Sequence, residues 1–331
     1  MSLSPQQPAQ SVKPDHILAE LSRLWTDSAK GDHDKAKPGS GVLRACAMTL
    51  IVFADEDKAG GDALTLGETL IGIMRSHPSR SVVVRIREEE GTLQSRVFQQ
   101  CWTPFGQHKQ ICCEQVELTV SLNRLSDVPS IVAPLAAPDV PRVIWFRSSR
   151  IAAAPDLADV LALGDKMIVD SARDGAPAFA DMRVLSNAGY LVADLAWTRL
   201  TKLRQLLARL LEGRDLNGIR AVAIEYGGTH ATPEVRYLHA WLRTALPAAT
   251  VDLRRMPAGG VPGLAAIRID AGVTVRLKEN CAEYEAGPLR QHATLPEGSE
   301  HELLAEELNI VGRDSVFERA LQRMTAWTPR S

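Results

Sequence analysis

Five cysteines among 331 residues leave little room for cysteine chemistry. None are spaced as CxxC, and no Cys/His cluster has zinc-ligand spacing, so neither a structural metal site nor a disulfide scaffold is expected. So few cysteines fit a reducing compartment. No run of about 18 apolar residues occurs, so no membrane-spanning helix is expected. The start, "MSLSPQQPAQSVKPD", has no basic segment leading into an apolar one, which argues against a secretory signal. Neither charge sign dominates: 38 basic residues face 40 acidic ones. That balance points away from nucleic acid and anionic membranes as partners. GxGxxG, GxxxxGK[ST] and GxSxG are all missing, and no base, nucleophile and orienter fall together. These absences predict a cytoplasmic protein with no metal set, no cofactor fingerprint and no visible active site.

What is present is a globular composition, 45% hydrophobic and 24% charged, in a chain long enough for two domains. After a polar Pro/Gln-rich start, "PDHILAELSRLWTDSAK" has Ile17, Leu18, Leu21, Leu24 and Trp25 at helical spacing, an amphipathic helix that must dock. "VLRACAMTLIVFA", "SVVVRIR", Leu93 to Trp102, Ile111 to Val120, "RVIWFRS" and "KMIVDSA" read as strands, with helical stretches between several of them. "DLAWTRLTKLRQLLARLLE" reads as one long helix. Beyond it come "RAVAIEYGG", a helix capped by Thr232 and Pro233, the strands "TVDLRR", "GLAAIRID" and "VTVRLKEN", and two helices broken near Gly312. The last two strands pair as a hairpin through Ala271-Gly272. The pattern predicts an α/β fold: two α/β units with mixed sheets covered by helices. The divisions are residues 1–40 (tail and helix), 41–189 and 190–331.

Several places carry a chemical reading beside a structural one. Gly227-Gly228, between a strand and a helix, is either a phosphate cradle or a connector. "SHPSR" offers His77, Ser79 and Arg80 as an anion site, or a helix stop before Pro78. Asp170-Ser171 ends a strand where open sheets place ligands, or caps a turn. Glu114 shares a strand face with Cys112, Val116 and Leu118 and must be paired or protonated; Arg85 and Arg87 are the expected partners. Trp145 with Arg147, and Trp197 with Arg199, are the residue types of binding hot spots, or core. With aromatics at 5%, six tryptophans are a large share of them. Cys112 and Cys113 are neighbours in a strand. Their Cα atoms lie about 3.8 Å apart, short of the usual 4.4–6.8 Å, so they should not bond to each other. Both are expected reduced, at least one of them inside. Cys46, Cys101 and Cys281 suggest no pair by spacing.

Taken in order, "HPSR", "ICCEQVEL", "DKMIVDSA", "DLAWTRLTKLRQLLA" and "LLAEELNIVGRDSVFERAL" resemble the glucose-6-phosphate dehydrogenase assembly protein family, OpcA, from about residue 40 to 326. Where that family often ends the "VIWF" strand with Trp-Arg-Gly, this chain has "FRSSR". The resemblance implies a non-catalytic partner of glucose-6-phosphate dehydrogenase. It would be an assembly factor and allosteric activator that stabilises the active oligomer in the oxidative pentose phosphate pathway. In that case Trp197, Arg199, Trp145 and Arg147 are the expected partner contacts. His77, Ser79, Arg80, Gly227 and Gly228 remain the expected anion contacts. The competing readings are an α/β enzyme acting on a sugar phosphate and a metabolite sensor.

Overall fold

The computed structural model describes residues 12–33, 41–56, 61–104, 109–148, 150, 157–173, 179–257 and 261–324. The chain divides into two compact units, Met1–Val169 and Asp170–Ser331.

The first unit contains, in chain order, α1 (Pro14–His33), β1 (Gly41–Arg44), β2 (Met48–Asp55), α2 (Gly61–Ser76), β3 (Ser79–Arg87), β4 (Leu93–Trp102), β5 (Lys109–Ser121), α3 (Val128–Val132), β6 (Arg142–Phe146), α4 (Leu157–Leu161) and β7 (Lys166–Val169). Its strands form one sheet in the order β1-β5-β3-β2-β6-β7, all parallel, with β4 added antiparallel to β5. Strands β2 and β3 are nearly continuous runs of Val, Ile, Leu and Phe. In a parallel sheet covered on both faces such runs bury every side chain. Accordingly Leu50, Ile51, Val52, Phe53, Val82, Val83 and Val84 are fully buried. The stretch read as a single strand over 42–54 is two: Ala45 to Ala47 separate β1, paired with β5, from β2 in the centre. Helix α1 docks on β1 and β4 through buried Ile17 and Leu21, as its apolar spacing required.

The second unit contains α5 (Phe179–Asn187), β8 (Leu191–Asp194), α6 (Leu195–Thr198), α7 (Thr201–Leu211), β9 (Ala221–Gly227), α8 (Pro233–Ala245), β10 (Thr250–Arg255), β11 (Gly263–Ile269), β12 (Val273–Lys278), β13 (Cys281–Ala286), β14 (Leu289–Thr294), α9 (Glu300–Leu308) and α10 (Ser315–Arg323). Six of its strands make a mixed sheet, β10-β9-β11-β12-β13-β14, in which only β9 and β10 run parallel. The fold is α/β with two mixed sheets, as expected. Gly272, at φ +74°, turns the β11–β12 hairpin in the left-handed region that glycine adopts without a Cβ penalty. Helix α8 lies against β9, β10 and β11 and buries Val235, Leu238 and Leu242. On the opposite face the strands carry a ladder of ion pairs: Arg268 with Glu225, Arg276 with Glu285, and Lys278 with Glu283.

Candidate functional site

The order β5-β3-β2-β6-β7 is that of a doubly wound sheet, and strand order reverses between β2 and β6. Such sheets bind ligands beyond the carboxyl ends of the strands at that reversal, with a dinucleotide pyrophosphate on backbone N–H groups of the first turn. Here the first strand ends in Asp55 and runs on into Glu56. Asp55 accepts a hydrogen bond from Ser148 and lies 3.8 Å from Arg150. Arg150 also reaches Glu88 at 2.8 Å, and Arg87 pairs with Glu56. Among the described residues, this end of the sheet thus carries Asp55, Glu56 and Glu88, held by Ser148, Arg150 and Arg87.

A second polar knot lies inside the first unit. Glu114 is 3% exposed on β5. Arg80 Nε donates to its Oε2 at 2.6 Å, Arg44 Nη2 lies 2.7 Å from Oε1, and Trp25 Nε1 donates to Oε1 at 2.5 Å. Arg80 also donates to the Leu135 carbonyl at 2.8 Å, and Arg44 sits over the Trp25 ring at 5.4 Å. A buried carboxylate needs such a shell, because desolvation of an unpaired ion costs several kcal/mol. Arg85 and Arg87, the partners expected from sequence, go instead to Glu117 and Glu56. The physical reason is register: Glu114 lies beyond the stretch of β5 that pairs with β3, so Arg85, opposite Thr119, is too far along to reach it.

That knot also corrects the anion reading of "SHPSR". Arg80 is 6% exposed and already neutralised, Ser79 is fully buried with its hydroxyl 3.1 Å from that of Ser81, and His77 Nδ1 lies 2.9 Å from the Ser76 hydroxyl. Gly227 is a strand residue opposite Gly263, and Gly228, at φ +91°, is a connector whose missing Cβ would sit 3.3 Å from Pro262. The helix that follows, α8, already has Glu234 in its first turn, 3.7 Å from Arg199. The α8 entry thus carries a carboxylate of its own where an anion would bind.

The second unit has its own buried network. Asp194 is fully buried at the N-cap of α6. It accepts from the backbone N–H groups of Ser171 at 3.0 Å and Ala196 at 2.9 Å, and from the Tyr237 hydroxyl at 2.8 Å. Burial pushes its carboxyl up to about 6 against the pull of these donors. The Tyr237 hydroxyl is raised well above its ordinary value by burial and by the Asp194 charge beside it. Arg199 makes a two-pronged pair with Asp170 at 2.7 and 2.6 Å, so Asp170 serves as a counter-ion and not as a nucleophile's partner. Trp197 packs 5.8 Å from both Tyr237 and Phe317, donates to Asp314 at 3.1 Å and lies 3.7 Å beneath Arg204. Burial lowers the Arg204 guanidinium to about 10.

The Trp–Arg pairs expected on a surface are therefore interior. Trp197 is 2% exposed, Trp145 0% and Arg147 6%, while Arg199 is engaged with Asp170. The chain breaks between α6 and α7, and this break turns "LAWT" inward, away from the outer side of the long helix that sequence suggested. The cysteine expectation is also corrected. Cys112 is bonded to Cys101, which the antiparallel register of β4 and β5 places directly opposite. Cys112 and Cys113 are not bonded to each other. Cys113 is free and buried, and burial raises its thiol to about 11.

Topology and site together define a two-unit α/β protein, with a doubly wound sheet in the first unit and a mixed sheet in the second. Residues 72–185 match the family model described as the N-terminal domain of the glucose-6-phosphate dehydrogenase subunit, and residues 190–321 match the model described as its C-terminal domain. The chain belongs to this OpcA family. Two relatives are provisionally named OxPP cycle protein OpcA. The Synechocystis sp. protein is 25% identical over 193 residues, 56% of this chain and 40% of the relative. The Nostoc punctiforme protein is 24% identical over 267 residues, 64% of this chain and 56% of the relative. The match thus spans about half the length of these relatives. Among solved structures, a biliverdin reductase from Synechocystis sp. aligns with TM-score 0.45 at 11% identity, over 83% of this chain and 95% of that one. A Gfo/Idh/MocA family oxidoreductase from Vibrio cholerae aligns with TM-score 0.46 at 9% identity, over 84% and 94%. Neither likeness bears on function. No helix among the described residues is long and apolar enough to cross a membrane.

Proposed function

We propose that this chain is a non-catalytic assembly factor of glucose-6-phosphate dehydrogenase, acting in the cytoplasm as an allosteric activator within the oxidative pentose phosphate pathway. The observation that carries this reading is the pair of matches, in order and over most of the chain, to the two domains of a glucose-6-phosphate dehydrogenase subunit. The described end of the first sheet supports it: Asp55 and Glu56, paired with Arg150 and Arg87, set carboxylates beside the turn that would hold a dinucleotide pyrophosphate. Activation would work as a population shift, the chain binding the active oligomer of the dehydrogenase more tightly than the inactive form. A tenfold shift requires only about 1.4 kcal/mol of differential affinity.

The test combines the purified chain with the dehydrogenase of the same organism. The chain alone should oxidise no glucose 6-phosphate. Together the two should co-elute, and the mixture should show a higher rate or a lower apparent KM. A verified complex with unchanged kinetics at every substrate level removes the activator reading. Turnover by the chain alone removes the non-catalytic one.

A further inference from the structure

A groove of about 520 Å³ lies among α5, α8 and α10 of the second unit. Its size is that of a small-ligand site, and among the described residues its lining is made of polar residue types. Among the described residues no aromatic ring lines it for a nucleobase to stack on, and no aliphatic residue offers an apolar helix a seat. The groove's charge is positive. Arg313, Arg319 and Arg323 face a single carboxylate, Glu318, which Arg313 already holds at 2.6 Å. Arg313 is further fixed by donating to the Gly189 carbonyl at 3.0 Å.

Arg319 and Arg323 are different. They stand four residues apart on one face of α10, are exposed, and make no hydrogen bond or ion pair among the described residues. Like charges at that spacing disfavour the helix, and a shared anion turns the repulsion into attraction. Guanidinium groups bind phosphate oxygens through paired N–H donors. Around them, the hydroxyls of Ser186 and Ser315 supply donors and acceptors suited to a polyol, and the Thr244 hydroxyl, which donates to the Ala240 carbonyl at 3.0 Å, supplies an acceptor. Opposite, Gln322 donates to the Asn187 side-chain oxygen at 2.7 Å and ties α10 to α5, so the groove walls are held together without ligand.

We propose that this groove binds a small phosphorylated polyol of the sugar monophosphate class, with Arg319 and Arg323 on the phosphate and the hydroxyls of Ser186 and Ser315 on the sugar. This site is separate from every position that sequence suggested for an anion, and it stands whether or not the chain binds a dehydrogenase.

The experiment is calorimetric titration of the full chain with glucose 6-phosphate, inorganic phosphate and glucose in parallel. The expected result is saturable binding of glucose 6-phosphate, weaker binding of inorganic phosphate and no heat from glucose. The double substitution Arg319→Ala and Arg323→Ala should weaken glucose 6-phosphate binding at least tenfold, about 1.4 kcal/mol. The ligand-free melting temperature should not fall, because both side chains are exposed and their mutual repulsion is removed. If the double variant melts lower, Arg319→Glu alone should give the same loss of binding in a chain of unchanged stability. No saturable binding at millimolar sugar phosphate overturns the proposal, as does binding undiminished in the variants. Inorganic phosphate binding as tightly as glucose 6-phosphate overturns the assignment of a sugar ligand.

Discussion

Glu114 in the first unit and Asp194 in the second are both buried carboxylates, and the chain solves the same problem for them in two ways. Around Glu114 the compensation is charge: two guanidinium groups and an indole N–H converge on its oxygens. Around Asp194 it is dipoles: two backbone N–H groups and a phenol, with no cation in direct contact among the described residues. The second solution leaves the carboxyl raised to about 6, because neutral donors offset only part of the cost of burial. Ionic compensation makes a site intolerant of losing one partner. Dipolar compensation makes it sensitive to pH.

The sharpest break in this comparison is Glu114→Ala, which leaves Arg80 buried without its counter-ion. It should destabilise the first unit by about 3–5 kcal/mol in denaturant unfolding. Replacing both members with apolar residues, Arg80→Met with Glu114→Leu, should cost far less, since the exposed Arg44 can return to water. Equal costs for the single and double variants would mean that the knot works through packing rather than charge.

For Asp194 the contrast appears along the pH axis. Folding raises its carboxyl from 3.8 to about 6, so the native chain holds the proton more tightly than the unfolded chain does. In that window the native state is protonated and the unfolded state is not. Stability should therefore fall as pH rises from about 4 to about 6 and then level off, a loss on the order of 3 kcal/mol. Asp194→Asn should flatten this part of the profile. An unaltered slope in the variant would assign the pH dependence to another group.

The Cys101–Cys112 bond tests covalent compensation on the same strand as Glu114. It closes a loop with a sequence separation of 11, so Cys101→Ser should cost roughly 2–3 kcal/mol under oxidising conditions. With excess dithiothreitol the variant and the natural chain should unfold alike. Smallest of all, Trp25→Phe keeps a ring beneath Arg44 but removes the N–H that reaches Glu114. The expected cost is about 1 kcal/mol, read as a small shift in the denaturation midpoint.

Much of the architecture could be read from local pattern. The β-branched runs of β2, β3 and β6 announce central strands, because only a sheet buried on both faces tolerates such unbroken apolar sequence. The Thr232-Pro233 start of α8 and the Gly272 turn follow from backbone chemistry confined to a few residues. Strands β13 and β14, "CAEYEA" and "LRQHAT", escaped notice because alanine and charged residues have low strand propensity. Their place comes from cross-strand pairing with β12, which no local window contains.

The candidate sites depended on contacts of still longer range. Glu114 could be seen to need a partner, since burial of a carboxylate demands one. That Arg80 and Arg44 fill the role depends on how β1, β3 and β5 align. Cys101 and Cys112 lie on strands that were each legible, yet their bond exists because one register among several sets them opposite. Trp197 reads equally well as anchor or core until the break after α6 turns it toward Tyr237 and Phe317. The side-chain types and their period limited what each segment could be. Register and the direction of each helix, both set by burial summed over the whole unit, decided which groups met.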